Sequence, residues 1–292
     1  MTDTLYHLFI QPLTEQAFQK ALIGGSLAAI ACGVIGCYII LRRMAFLGDA
    51  LSHAMLAGVT VGYLLMQALF GNTHVHSDRT HATAMLVGSI LAGLITVFLI
   101  GFVSKVSRIK DDTAIGIMYT GLFAVGGILA SFYSDRIHID LFHFVNGMVL
   151  GVEDADLWVM AIVTTVVLTI VILFFRQLKI TSFDPVMAAS LGISVLGFNY
   201  LLTTCASLVV VSAVSLVGVI MVIGLLVTPA ATAYLLCDRL YRMQILAACF
   251  GVTGVVGGLY VSTWIGNVAT APTIVVFSTL QFMVVLVAAP RY

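Results

Sequence analysis

The chain has 292 residues, of which 61% are hydrophobic and only 9% charged, with a mean hydropathy of +1.13. A soluble domain carries about 25% charged residues, so this composition cannot build a water-facing surface, and the solvent of the fold is lipid. The net charge is zero, which leaves no electrostatic footprint for a nucleic-acid partner.

The first twenty residues, MTDTLYHLFIQPLTEQAFQK, show neither a basic n-region nor a small-residue cleavage site. They read as no signal peptide, and the first spanning helix is expected to serve for insertion itself. Apolar runs of about 20 residues, enough to cross a bilayer, follow at 18–41, 50–70, 83–104, 113–133, 157–175, 195–212, 213–236, 243–264 and 270–289. About nine spans are therefore predicted. The pair within 195–236 is divided only by small polar residues, Ser212 and Ser215. The alternative is one long helix with a short one, which gives eight. Only helices satisfy their own backbone in lipid, and no barrel-like alternation occurs, so the expected class is an all-α integral membrane protein. One transmembrane domain is expected over 1–292. Five cysteines (Cys32, Cys37, Cys205, Cys237, Cys249) are scattered through apolar runs without a C-x-x-C. They read as small buried residues.

Orientation follows from the basic residues. Arg42, Arg43, Lys105, Arg108, Lys110, Arg176, Lys179, Arg239, Arg242 and Arg291, ten of the thirteen, fall on one set of loops. Lys20, Arg79 and Arg136 fall on the other. The richer set is expected in the cytoplasm, and nine spans then place the N-terminus outside and the C-terminus inside. Six of the seven histidines, all but His53, lie in the opposite, external segments together with Asp135, Asp140, Glu153, Asp154 and Asp156. A metal arriving from outside would meet those groups first.

Two inter-span segments differ in kind. KITSFDPVMAASLGIS, 179–194, is moderately polar and cytoplasmic. Asp184 can cap a helix, Pro185 fits its first turn and Gly192 stops it, so a short amphipathic helix is predicted over 184–191. It is either an ordinary interfacial helix or a docking helix for a soluble partner. The external segment 134–156 is too long for a tight turn and too polar to span. A short helix on the outer face is expected there, as gate or as packing.

The stretch GDALSHAM, 48–55, puts Asp49 and His53 four residues apart inside an apolar run. Residues i and i+4 share a helix face with Cβ atoms about 5–6 Å apart, so both side chains can reach one divalent cation. A carboxylate with an imidazole suits manganese, ferrous iron or zinc and is too nitrogenous for calcium or magnesium. Ionisable groups within a membrane are costly, about 2.5–3.5 kcal/mol for Asp on insertion scales, and commonly functional. The alternative is an N-cap at Asp49 and a histidine packed against a neighbouring helix. HVHSDRTH, 74–81, offers His74, His76 and His81 as a weak metal-holding loop or as a plain polar hairpin tip. No H-E-x-x-H, no G-x-x-x-x-G-K-[ST] and no nucleophile with its base occurs, so the chain is not expected to be an enzyme, and any ATP must be hydrolysed by a partner.

Five stretches in order, LRRMAFLGDALSHAMLAGV (41–59), DDTAIGI (111–117), NGMVLGVEDADLW (146–158), ITSFDPVMAASLGI (180–193) and LLVTPAATAYLL (225–236), resemble the membrane permease of bacterial ABC importers for manganese, zinc or chelated iron, the ABC-3 family. The manganese permeases are the nearest in character. The resemblance covers nearly the whole chain. It implies a homodimer in the bacterial plasma membrane that binds no permanent cofactor and moves a divalent metal. Two cytoplasmic ATP-binding subunits and an external solute-binding protein would be its partners. The resemblance assigns Asp49 and His53 to the metal. It makes the helix at 184–191 the coupling helix, with Ser182, Phe183, Asp184, Pro185, Ala188, Leu191 and Gly192 at the ATPase contact. Thr228-Pro229 is expected to break its helix. An ion-coupled secondary transporter is the rival reading. It would show internal repeats with matching broken helices, and no second copy of the 41–59 stretch is present.

Overall fold

In the computed structural model the described residues are 11–44, 46–70, 78–107, 111–132, 152, 154–266 and 268–289, and they form helices joined by short turns, with no strand among them. A short α1 (Gln11–Thr14) leads into α2 (Gln16–Leu41), α3 (Leu47–Phe70), α4 (Asp78–Val106) and α5 (Asp111–Phe132). Then come α6 (Asp154–Leu173), α7 (Phe175–Phe183), α8 (Pro185–Ser190), α9 (Val195–Val217), α10 (Val219–Leu236), α11 (Leu240–Ile265) and α12 (Thr270–Ala288). Eight of these, α2, α4 to α6 and α9 to α12, are long and apolar enough to cross a bilayer. The remaining long helix is the 24-residue α3, which packs between α4 and α5. The protein is a multi-pass membrane protein.

The centre of the bundle is α2, which packs against α6, α9, α10 and α11. It can do so because small residues let the backbones approach. A Cβ on Gly33 would stand 3.1 Å from the carbonyl of Ala247 in α11, and one on Gly36 would fall onto the carbonyl oxygen of Leu226 in α10. At the far end of α2, Lys20 pairs with Asp154 at the start of α6, Nζ to Oδ1 2.7 Å. Around the outside, large apolar side chains face away from the protein: Phe98 on α4, Phe132 on α5, Ile172 on α6 and Val287 on α12 are all exposed. In water this surface would be a liability, and in lipid it is the solvated face.

The structure corrects the boundaries in several places. The division within 195–236 exists, but at Gly218 and not at the serines. Ser212 and Ser215 return their hydroxyls to the helix, donating to the carbonyls of Leu208 (2.7 Å) and Ser212 (2.9 Å). Gly218 takes φ 86°, which ends α9 and starts α10. Pro229 does not break its helix. It lies inside α10, and the chain stays helical through Leu236. The segment after α6 is also more ordered than expected, because Arg176 and Lys179 belong to the helix α7. Helix α4 begins at Asp78, so 78–81 of the stretch 74–81 are helical. His74 and His76 lie outside the described residues, as does most of 134–156, and His81 is placed by its backbone alone. Among the cysteines, Cys32, Cys37 and Cys205 are buried as expected, whereas Cys237 is half-buried and Cys249 exposed.

The Gly36 contact yields a prediction. Gly36→Ala puts a methyl group onto the Leu226 carbonyl, and overpacking of this kind costs about 1–3 kcal/mol. A lower unfolding midpoint than wild type is expected for the detergent-solubilised protein, while Gly116→Ala, where a Cβ meets nothing, should leave it unchanged.

Candidate functional site

Helix α3 starts at Leu47, two residues before Asp49. Asp49 is therefore inside the first turn and is not the N-cap of the alternative reading. A carboxylate there is favoured by the positive end of the helix, by about 0.3–1 kcal/mol. Gly48 allows α3 to start close under α10, since a Cβ on it would meet the side chain of Leu226. Its carbonyl accepts the hydroxyl of Ser52 at 2.8 Å.

One turn on, Nε2 of His53 stands 3.2 Å from Oδ1 of Asp49, and the two side chains are 31% and 28% exposed. Two donors each about 2.1 Å from one ion and about 90–110° apart stand roughly 3.0–3.4 Å from each other. The pair thus has the spacing of neighbouring ligands in one coordination sphere. The His53 ring is oriented by α5, stacking on Tyr119 at 5.8 Å between centroids and meeting Phe123 edge-on at 4.9 Å. Helix α5 reaches this position through Gly126, where a Cβ would stand 2.7 Å from the backbone nitrogen of Ala57. On the other side of α3, a Cβ on Gly58 would stand 2.7 Å from the Gly88 carbonyl oxygen of α4. Small residues on both flanks fix the helix that carries the pair. Among the described residues no group of three or more His, Cys, Asp or Glu side chains gathers at one point.

The second candidate element is α8. Asp184 caps it, its Oδ1 accepting the Met187 amide at 2.9 Å, Pro185 occupies the first turn, and Gly192 leaves it at φ 77°. These are the three features the sequence pointed to. Ala188 is buried and seats the helix, while Phe183, Val186, Met187 and Leu191 are exposed, Val186 by 81%. Beside α8, Arg42 caps the C-terminus of α2. It donates from Nε to Ser182 Oγ (3.0 Å), from Nη2 to Thr181 Oγ1 (3.3 Å) and from Nη1 to Asn199 Oδ1 (2.5 Å).

Residues 14–289 match the model of the ABC 3 transport family. The chain belongs to the ABC 3 transport family. It is 42% identical over 289 residues to the manganese transport system membrane protein MntC of Halalkalibacterium halodurans, covering 99% of this chain and 93% of that protein. It is 38% identical to the manganese import system permease protein ScaB of Streptococcus gordonii, covering 97% of this chain and 95% of that one. Among solved structures it resembles PsaBC from Streptococcus pneumoniae in complex with Fab, with TM-score 0.81, 37% identity and coverage of 97% and 95%. As a permease of this family the chain is a transport subunit and not an enzyme.

Several residues of the site escaped the reading of the sequence. Tyr119 and Phe123 orient His53, and their signal was an aromatic pair four residues apart on α5. Val186 and Met187 are the outermost apolar groups of α8, signalled by two apolar residues directly after its proline. Asp184→Ala removes the cap of a six-residue helix, a loss worth about 1 kcal/mol. Hydrogen exchange at the amides of α8 is expected to speed up in Asp184→Ala and to stay near wild type in Asp184→Asn, which still caps.

Proposed function

We propose that this chain is the membrane permease subunit of a bacterial ABC importer for a divalent transition metal, manganese foremost, with zinc and ferrous iron of the same ligand chemistry. The observation that carries the cargo assignment is the Asp49–His53 pair, its donor atoms 3.2 Å apart and partly open within an otherwise apolar bundle. Manganese comes first because the names of the relatives at 42% and 38% identity specify it. Donor type and geometry select the ion, since raw affinity favours copper and zinc over manganese.

Two donors are too few for a full coordination sphere. A second copy of the chain supplies the same two, and the pathway runs between the copies of a homodimer, each a single transmembrane unit over 1–292. The end bearing Arg42, Arg239 and Arg242 faces the cytoplasm of a cell bounded by its plasma membrane, by the excess of basic residues there. With nine spans the N-terminus is outside. Each copy rests on a separate ATP-binding subunit through α8 and its flanks, Ser182 to Pro185, Leu191 and Gly192, with Ala188 as the seat beneath. Exposed apolar side chains beyond the membrane boundary on a capped, rigid helix fit a groove on such a partner. An external solute-binding protein delivers the ion at the opposite end. ATP-driven closure of the partner pair displaces α8, the bundle tilts, and the ion leaves the Asp49–His53 sites toward the cytoplasm.

Uptake into proteoliposomes holding the chain and its ATPase tests this reading with manganese, zinc and iron taken singly. Asp49→Ala and His53→Ala are expected to assemble normally and to lose uptake of the cargo metal by at least about tenfold, given that even outer-shell changes at metal sites cost 10–100-fold. Wild-type uptake in both variants would remove the pair from the pathway. Val186→Asp is expected to lose capture of the ATPase while leaving the permease folded, and uptake that persists without an ATPase would point to an ion-coupled carrier.

A further inference from the structure

The connection between α2 and α3 is short and tightly bent. Arg42 caps α2, Arg43 turns through the left-handed region at φ 58°, and Leu47 begins α3. A residue with a Cβ adopts that turn only where its surroundings hold it. The surroundings here include the Arg42 fork. Thr181 and Ser182 belong to α7, just before α8, and Asn199 belongs to α9, just after it. One guanidinium thus grips both arms of the α8 hairpin across separations of 139 to 157 residues in sequence. Its planar donor array is suited to hold several acceptors in fixed directions at once.

Beside this fork lies a cavity of about 430 Å³, lined among others by Arg42, Arg43, Leu47, Ser182, Pro185 and Asn199. Side-chain packing therefore leaves open the space between the α8 hairpin and the start of α3. The fork is the hydrogen-bonded link beside this space, next to the direct packing of α9 on α3. From Arg42 the chain runs seven residues to Asp49. On the way Gly48 lies close under Leu226.

We propose that Arg42 is the positioning residue that transmits displacement of the α8 hairpin to the first turn of α3, and so to the Asp49–His53 pair. The inference rests on the reading of α8 as the ATPase-docking helix and of the pair as the cargo site, and adds the connection between them. Arg42 touches neither ATP nor metal. Its loss uncouples the two events while each still occurs.

The test is the ratio of manganese imported to ATP hydrolysed, measured in proteoliposomes holding the full chain with its ATPase and supplied with metal-loaded binding protein. In Arg42→Gln the ATPase is expected to bind and turn over as in wild type while the ratio falls by about fivefold or more, the lower bound of ordinary coupling between sites. Arg42→Lys keeps the charge but gathers its donors on one nitrogen and loses the planar fork, and is expected to lose the ratio too. Asn199→Ala, which keeps the arginine and removes one anchor, is expected to lose part of it. An unchanged ratio in Arg42→Gln overturns the proposal. So does a loss of uptake matched by equal losses of ATP turnover and of melting temperature in both the Arg42 and Asn199 variants, which is the behaviour of a residue that only holds the fold. Val186→Asp separates the two levels. If it leaves ATPase capture intact, the docking reading falls and the transmission with it, whereas if it abolishes capture while Arg42→Gln is silent, the transmission alone falls.

Discussion

The close approach of backbones along α2 is the constraint on which the rest of the structure depends. Lipid gives helices no hydrophobic reason to associate, so contact must come from packing at short range. Gly33 and Gly36 bring α2 against the carbonyls of Ala247 and Leu226, and Gly25 brings it against Val255, where an added Cβ would stand 2.8 Å from Cγ1. With α10 and α11 fixed in this way, the end of α2 is fixed too, and Arg42 projects from that end. The same device repeats along α3 through Gly58 and Gly88. A bundle held by such contacts is stiff in its centre, and its adjustable parts are the connections at its ends.

Charge is distributed to match. Apart from the Asp49–His53 pair and Lys179 within the short α7, the described acidic and basic side chains sit near helix ends and in turns, as Lys20 with Asp154 does. An aspartate in a lipid-facing bundle costs a few kcal/mol unless something compensates it. Asp49 has two compensations, the start of its own helix and the imidazole 3.2 Å away. On the proposed reading a metal ion between the same atoms would be a stronger one. The His53 ring cannot swing freely, because Tyr119 and Phe123 hold two of its sides. The pair is thus held at its 3.2 Å spacing by contacts from α5.

Much of this was legible in the sequence because it is local. The i,i+4 spacing of Asp49 and His53 and the Asp184-Pro185 start of α8 depend on a handful of neighbouring residues, and lipid restricts the backbone to helix almost everywhere else. What misled was local chemistry that the membrane overrides. Ser212 and Ser215 look like a break, but their hydroxyls find carbonyls on their own helix. Pro229 looks like a stop, but packing of α10 against α2, α11 and α12 holds the helix through it. Other features could not be read at all, because their partners are distant in sequence. Nothing within seven residues of Arg42 announces Thr181 or Asn199, and the burial of Ala188 in an exposed helix appears only once α8 is seated.

The arrangement places rigid and adjustable parts in series. Helix α8 is six residues long and is held by a side-chain cap and a proline in its first turn. The first turn of α3 is equally constrained by Gly48 under Leu226. Between them lies a turn in the left-handed region beside an unfilled space. Packed interiors switch between discrete arrangements and do not deform continuously, so displacement must concentrate where packing is incomplete. The α2–α3 linker is such a place, and it leads into the helix whose first turn carries the carboxylate. Asp49 and His53 ride on this one helix, so a turn of α3 carries carboxylate and imidazole together past Tyr119 and Phe123 of α5.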